Sequence, residues 1–173
     1  AAADGERPVV HWLRALAHEV HARCGGRGGG AVGMCFTGNF ALSMVLSAPV
    51  IAPVMCQPSL PLEDQTATGF SDVQLGALRG ELERTDASVL ALRFAGDRWC
   101  TASRFAGFKA GLGDRFREIV VPDAAANADP APFFKEIVGT PHSVVTAHLI
   151  DAAGEPTAKA RDAVIAFLGS RLD

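Results

Sequence analysis

The chain has 173 residues, 49% of them apolar, which is enough for one domain with its own core and too apolar for a disordered chain. Its formal net charge of -3 comes from 16 basic and 19 acidic residues mixed along the chain, with no basic block, so neither nucleic acid nor an anionic membrane is an expected partner. Four cysteines, no C-x-x-C pair, apolar runs too short for a membrane span, and a start ("AAADGERP") without the pattern of a secretory leader point to a reducing, cytoplasmic setting.

In chain order, apolar Val9, Leu13, Leu16 and Val20 recur at helical spacing and predict an N-terminal helix over 9–24, with Trp12 in its core or at an interface. "CGGRGGG" ends it in a turn. "AVGMC" is a short buried strand, followed by a helix over "GNFALSMVLS" that Pro49 stops. "VIAPVMCQ" is a second strand, and its internal Pro53 predicts a bend or a place near the sheet edge. A proline-containing loop, "PSLPLEDQTATGF", leads to a helix capped by Ser71 or Asp72, with Leu75, Leu78 and Leu82 inward. "SVLALRFAGD" is nearly all apolar, as a central parallel strand would be. A helix at "TASRFAGFKAGLG", a strand at "FREIVVP", and a long connection over 122–142 with a short helix at "PFFKEIVG" follow. The last helix starts at Pro156 and turns Ala160, Val164, Phe167 and Leu168 inward. Strand and helix alternate throughout, which predicts one α/β domain with a mostly parallel sheet and helices on both faces. Only four strands are evident and the first follows a helix, so the domain reads as one lacking its N-terminal strands.

The stretch "GGGAVGMCFTGNFALSMVLS" holds the strongest chemical signal. A nucleophile elbow puts its reactive residue on a sharp strand-to-helix turn, flanked two residues away by small residues because backbones approach closely there. In the elbow over 30–47, Gly33 lies two before Cys35, Thr37 two after, and Gly38 follows. Amides at the start of the following helix favour a thiolate, and the Phe36 N–H is placed to hold an oxyanion. A buried, inert thiol in a glycine-rich turn is the alternative. Elbow enzymes run nucleophile, acid, histidine along the chain. Asp97, in the acid-bearing strand and loop 88–101, stands at the end of the third strand, where it either orients a histidine or caps the helix near Thr101. His142, in the histidine loop and C-terminal helix over 122–173, is the expected base; His148 is the alternative. His142 would draw the proton from Cys35, and the thiolate would attack an ester or lactone carbonyl.

These segments, "VGMCFTGNFAL", "APVMCQPSLP", "LALRFAGDRWCTASRF" and "HSVVTAHL", together resemble the dienelactone hydrolase family, α/β-hydrolases with cysteine in place of the usual serine. The resemblance runs from about residue 30 to the C-terminus. It implies Cys35 as nucleophile, Asp97 as acid and His142 as histidine, the pair "HS" favouring His142 over His148. It implies hydrolysis of a small ester or lactone, in the family a dienelactone giving maleylacetate, without metal or cofactor. Two departures stand out. The family has glycine where this chain has Thr37. The family's N-terminal part, which supplies further strands, a second oxyanion amide and a glutamate near the cysteine, has no counterpart here, so a preceding segment or a second chain is expected to complete the sheet.

Arg98 and Trp99, beside Asp97, are candidates to shape the substrate pocket, Arg98 by attracting a carboxylate; a surface ion pair is the rival role for Arg98. His11, His18, His21 and Cys24 are read as a solvated helix face rather than a metal site, and "GGRGGG" as a turn rather than a phosphate loop. Cys56 and Cys100 are read as packing residues. Two other functions stay open: a carboxylesterase or thioesterase with a different substrate, and a non-catalytic binding module of the same fold.

Overall fold

A computed structural model describes residues 7–46 and 49–172. Residues 1–6, Ser47, Ala48 and Asp173, which the expected 1–173 domain and 30–47 elbow include, lie outside the described residues. The elements are α1 (Pro8–Cys24), β1 (Gly29–Met34), α2 (Gly38–Ser43), β2 (Val50–Cys56), α3 (Asp72–Arg84), β3 (Val89–Phe94), α4 (Ala102–Leu112), β4 (Phe116–Val121) and α5 (Pro156–Leu172). The four strands form one all-parallel sheet in the order β1-β2-β3-β4. The chain is therefore of the α/β class, with every strand-to-strand link passing through helix. Among the described residues no helix is long and apolar enough to cross a membrane.

Alternation along β3 divides the core. Val89 and Ala91 point to one face, where Leu75, Leu78 and Leu82 of α3 meet Phe105, Phe108 and Leu112 of α4. Leu90, Leu92 and Phe94 point to the other, against Ala160, Val164 and Phe167 of α5. Both faces of β3 are covered, which is why its sequence is almost unbroken apolar. The two core clusters bury more than twenty side chains, and each fully buried Leu or Phe contributes roughly 1.5–3 kcal/mol before entropy is set against it. Ser71, one of the two expected caps, caps α3 by accepting from the Gln74 amide at 3.3 Å, while the Gln74 side chain returns to the Ser71 amide at 2.9 Å.

Three expectations need correction. Pro53 does not put its strand at an edge: β2 is internal, between β1 and β3, with Pro53 opposite Ala31. The irregularity sits instead at Gly29/Gly30, where the register skips Ile51 and turns Val50 to the same face as Met55. The N-terminal helix buries Val10 and Arg14, and of the apolar stripe read from spacing only Leu13 packs on the core. Arg14 turns inward to donate to the Ser43 carbonyl, while Val9, Trp12, Leu16 and Val20 are exposed. The helix after Cys35 is shorter than its sequence suggests: a 3-10 turn over Cys35–Thr37, six residues of α2, and a second 3-10 turn at Met44–Leu46.

β1 forms one edge of the sheet, and its Val32 and Met34 are exposed. The opposite ends of the strands, their C-terminal ends, carry the residues with chemistry.

Candidate active site

Cys35 stands one residue beyond β1 with φ +52, a left-handed conformation that costs a non-glycine residue roughly 1–2 kcal/mol. The neighbours show what holds it there. A Cβ on Gly33 would lie 2.2 Å from the Thr37 carbonyl oxygen, so the turn closes only over glycine. A Cβ on Gly38 would lie 2.8 Å from the Pro58 Cα, so the helix start abuts the loop after β2. Thr37, the unexpected residue, is useful rather than obstructive. Its hydroxyl accepts from the Met34 amide and donates to the Met34 carbonyl, both at 2.9 Å, and so ties the two sides of the turn together. The close approach that demands glycine falls at Gly38 instead. The Cys35 carbonyl accepts from the Ser59 amide at 3.1 Å and completes the clamp.

Asp97 lies in the turn after β3, 2% exposed. Its two oxygens are used separately. Oδ1 accepts from the amides of Trp99 at 2.9 Å and Cys100 at 3.1 Å. Oδ2 is 2.7 Å from Nδ1 of His142, whose side chain is also buried. Asp97 thus faces His142 and ties down the turn ahead of α4, but it does not cap that helix: the cap is Thr101, which accepts from the Arg104 amide. The long 122–142 connection delivers His142 to this carboxylate, 45 positions along the chain.

The electrostatics follow from this packing. Burial disfavours charge on His142, but Asp97, followed by the Cys35 sulfur, more than compensates and its pKa is pushed up to about 9. Burial also disfavours a Cys35 thiolate. The His142 ring and Ser59 hydroxyl as hydrogen-bond partners, the charge of His142 and the Phe36 amide outweigh it, so the thiol is held below its ordinary value. Both shifts favour the charged forms, thiolate and imidazolium, relative to the free groups. The short α2 leaves little helix dipole for this task, so discrete donors perform it. Cys35 is half-buried, while Phe36 beside it is exposed.

His148, the alternative base, does not face the sulfur. It is buried, and its Nδ1 accepts from the amides of His142 at 3.3 Å and Ser143 at 3.1 Å. Arg98 and Trp99 both turn to the 134–138 turn: Arg98 donates to the Ile137 carbonyl at 3.4 Å and stacks on Trp99, whose Nε1 donates to the Val138 carbonyl at 3.3 Å. They fix the wall that precedes the histidine loop, and among the described residues Arg98 makes no ion pair.

Three residues near the site escape sequence reasoning. Ser59 is buried beside Cys35, with its hydroxyl 3.0 Å from the Gln57 carbonyl, and its single proton serves either that oxygen or the sulfur. Gln57 is buried with φ +37, and its Oε1 accepts from the Val144 amide at 3.4 Å, linking the end of β2 to the histidine loop. Arg104 is fully buried and donates to the carbonyls of Pro58, Leu60, Pro61, Asp64 and Gln65. It gathers the loop after β2 into a fixed wall, which Asn39 also holds through the Thr68 carbonyl at 2.8 Å. Only Arg104 left a trace in the sequence: it sits four residues before Phe108, on the helix face that Phe105, Phe108 and Leu112 mark as buried.

No protein-family model, curated protein or solved structure matches this chain.

Proposed function

We propose that this chain is a cysteine-dependent hydrolase of carboxylic esters or lactones, of α/β-hydrolase type and of the dienelactone hydrolase kind. The observation that carries the reading is the convergence of Cys35, on its left-handed elbow, with a His142 ring held 2.7 Å from Asp97. Nucleophile and orienting acid follow the ends of β1 and β3, and the base stands on the long loop after β4, in the chain order that elbow hydrolases use. This convergence favours a catalytic site over a non-catalytic binding module of the same fold.

The mechanism follows from the protonation states. The Cys35 thiolate adds to the substrate carbonyl carbon, and the carbonyl oxygen, now negative, takes the Phe36 N–H. The C–O bond to the leaving alcohol breaks as His142, protonated, gives its proton to that oxygen. His142, now neutral and held by Asp97, takes a proton from water, and the hydroxide attacks the thioester. The carboxylic acid leaves, restoring thiolate and imidazolium. A thiolate is itself a good leaving group, so activated esters, enol esters and lactones suit it better than amides. A different ester or a thioester is served by the same steps, and selectivity rests with the pocket walls. The bare edge of β1 is where the family's preceding strands would add, from a preceding segment or a second chain. Turnover of an aryl or enol ester by the wild-type chain, lost in Cys35→Ala, is the expected result; equal rates in the two would remove the cysteine mechanism.

A further inference from the structure

We infer that His148 is a positioning residue, whose unprotonated Nδ1 holds the loop carrying His142 in the conformation that keeps His142 on Asp97. The inference rests on the proposed catalytic role of His142. Its geometry is separate from that role. A ring nitrogen that accepts from two amides, those of His142 and Ser143, carries no proton, so the neutral ring has its proton on Nε2. The loop closes on itself at the same place, since the His148 amide donates to the Ser143 carbonyl at 3.1 Å. The His148 carbonyl accepts from the Asn127 amide at 2.9 Å, and Asn127 Nδ2 reaches the Ala147 carbonyl at 3.3 Å. The ring itself is gripped edge-on by Phe94, at the end of β3, with centroids 5.9 Å apart, and by Phe134 at 5.7 Å. One imidazole therefore ties the strand that precedes Asp97, the turn at 134–138 and the backbone of His142 into a unit.

A proton on Nδ1 would set a donor against two donors and break both contacts. Burial and the neighbouring charge of His142 disfavour that proton, with Asp97 opposing them. Asp123 and Lys135 line the cavity that His148 borders, but both are engaged elsewhere, Asp123 with the Gly96 amide at 2.8 Å and Lys135 with Asp129 at 2.6 Å. Removing the acceptor leaves two buried amides unpaired and frees the backbone of the base. A displacement of about 1 Å at a reacting group can cost roughly 100-fold in rate.

The test uses the full chain and two variants. In His148→Asn the side-chain oxygen occupies nearly the position of Nδ1 and can accept both amides; in His148→Phe the ring volume is kept and the acceptor is lost. The readouts are kcat and KM on an aryl ester, and the pH dependence of Cys35 alkylation by iodoacetamide, which reports the thiolate without needing turnover. His148→Asn is expected to keep a depressed alkylation midpoint and kcat within a few-fold of wild type. His148→Phe is expected to raise the midpoint and to lower kcat by roughly 10- to 100-fold with little change in KM. Equal behaviour of the two variants, in either direction, would overturn the proposal. Nitrogen-15 spectra of wild type give a check that no folding defect can confuse: a neutral His148 with bare Nδ1 at pH 7 supports it, and a proton on Nδ1 overturns it. If no ester is turned over but the alkylation midpoints rank as stated, the hydrolase reading fails and the positioning role stands.

Discussion

Two thiols sit around the same carboxylate–histidine pair, and they are driven in opposite directions. Cys35 and Cys100 both lie beyond the C-terminal end of a strand, and both are penalised by burial. Cys35 is met by the His142 ring, the Ser59 hydroxyl and the Phe36 amide, and its pKa falls. Cys100 lends its own amide to Asp97 and turns its sulfur into the core of α3 and α4, where burial and then the Asp97 charge push it well above the ordinary thiol range. Cys56, also buried, is pushed up to about 12. Nearness to a charged site does not make a cysteine reactive. Donors near its sulfur lower its pKa, and of Cys35, Cys56 and Cys100 the elbow cysteine is the one that has them.

The largest effect expected from breaking this contrast is the loss of the elbow thiol. Cys35→Ala should lower ester turnover by roughly 1,000-fold or more and, in a chain whose exposed Cys24 is replaced by serine, abolish labelling by iodoacetamide at pH 7, while Cys100→Ala leaves both within a few-fold. Next comes the carboxylate. Asp97→Asn keeps Oδ1 for the Trp99 and Cys100 amides, so the fold should persist, but it removes the charge that holds His142; kcat should fall by roughly 100- to 10,000-fold. His142→Ala makes Cys35 resemble Cys100. With its chief donor gone and burial remaining, the alkylation midpoint should move from below 9.0 toward or past it, and labelling at pH 7 should fall about tenfold for each pKa unit regained. The wild-type profile carries the complementary sign. Turnover should rise as the thiolate forms below the ordinary thiol value, then decline as pH passes about 9 and His142 loses the proton that the leaving alcohol needs. The smallest effect concerns the turn itself. Thr37→Val deletes both hydroxyl contacts to Met34 at nearly constant shape and should cost about 1 kcal/mol in urea unfolding, with modest loss of rate.

The same contrast explains what could be read in the sequence. All four strands and their parallel pairing follow from apolar runs alternating with amphipathic helices. The meeting of Cys35, Asp97 and His142 was legible because each stands at a marked place along the chain: a glycine-flanked turn, the end of an apolar strand, a loop before the last helix. His148 was not. Its ring works through an acceptor nitrogen facing two amides, and nothing in "VTAHLID" distinguishes that from a core or surface histidine. Ser59 and Gln57 are hidden for the same reason, since their partners lie on other loops. The N-terminal helix misled by its periodicity: Val10 and Arg14 are buried, Arg14 reaching the Ser43 carbonyl, and of the four apolar positions only Leu13 packs on the core while Val9, Leu16 and Val20 are exposed. Thr37 looked like a flaw because the spacing rule asks for glycine there; the close contact had moved one residue on, to Gly38 against Pro58.

The central claim is that Cys35 forms a covalent acyl intermediate. Rapid quenching of the wild-type chain with an aryl ester, followed by intact-mass and peptide mass spectrometry, tests it directly. The expected result is an acyl group on the Cys35 peptide that forms early in turnover and disappears with time in water. An unacylated Cys35 in a chain whose Cys35 still alkylates rapidly at pH 7 would contradict it.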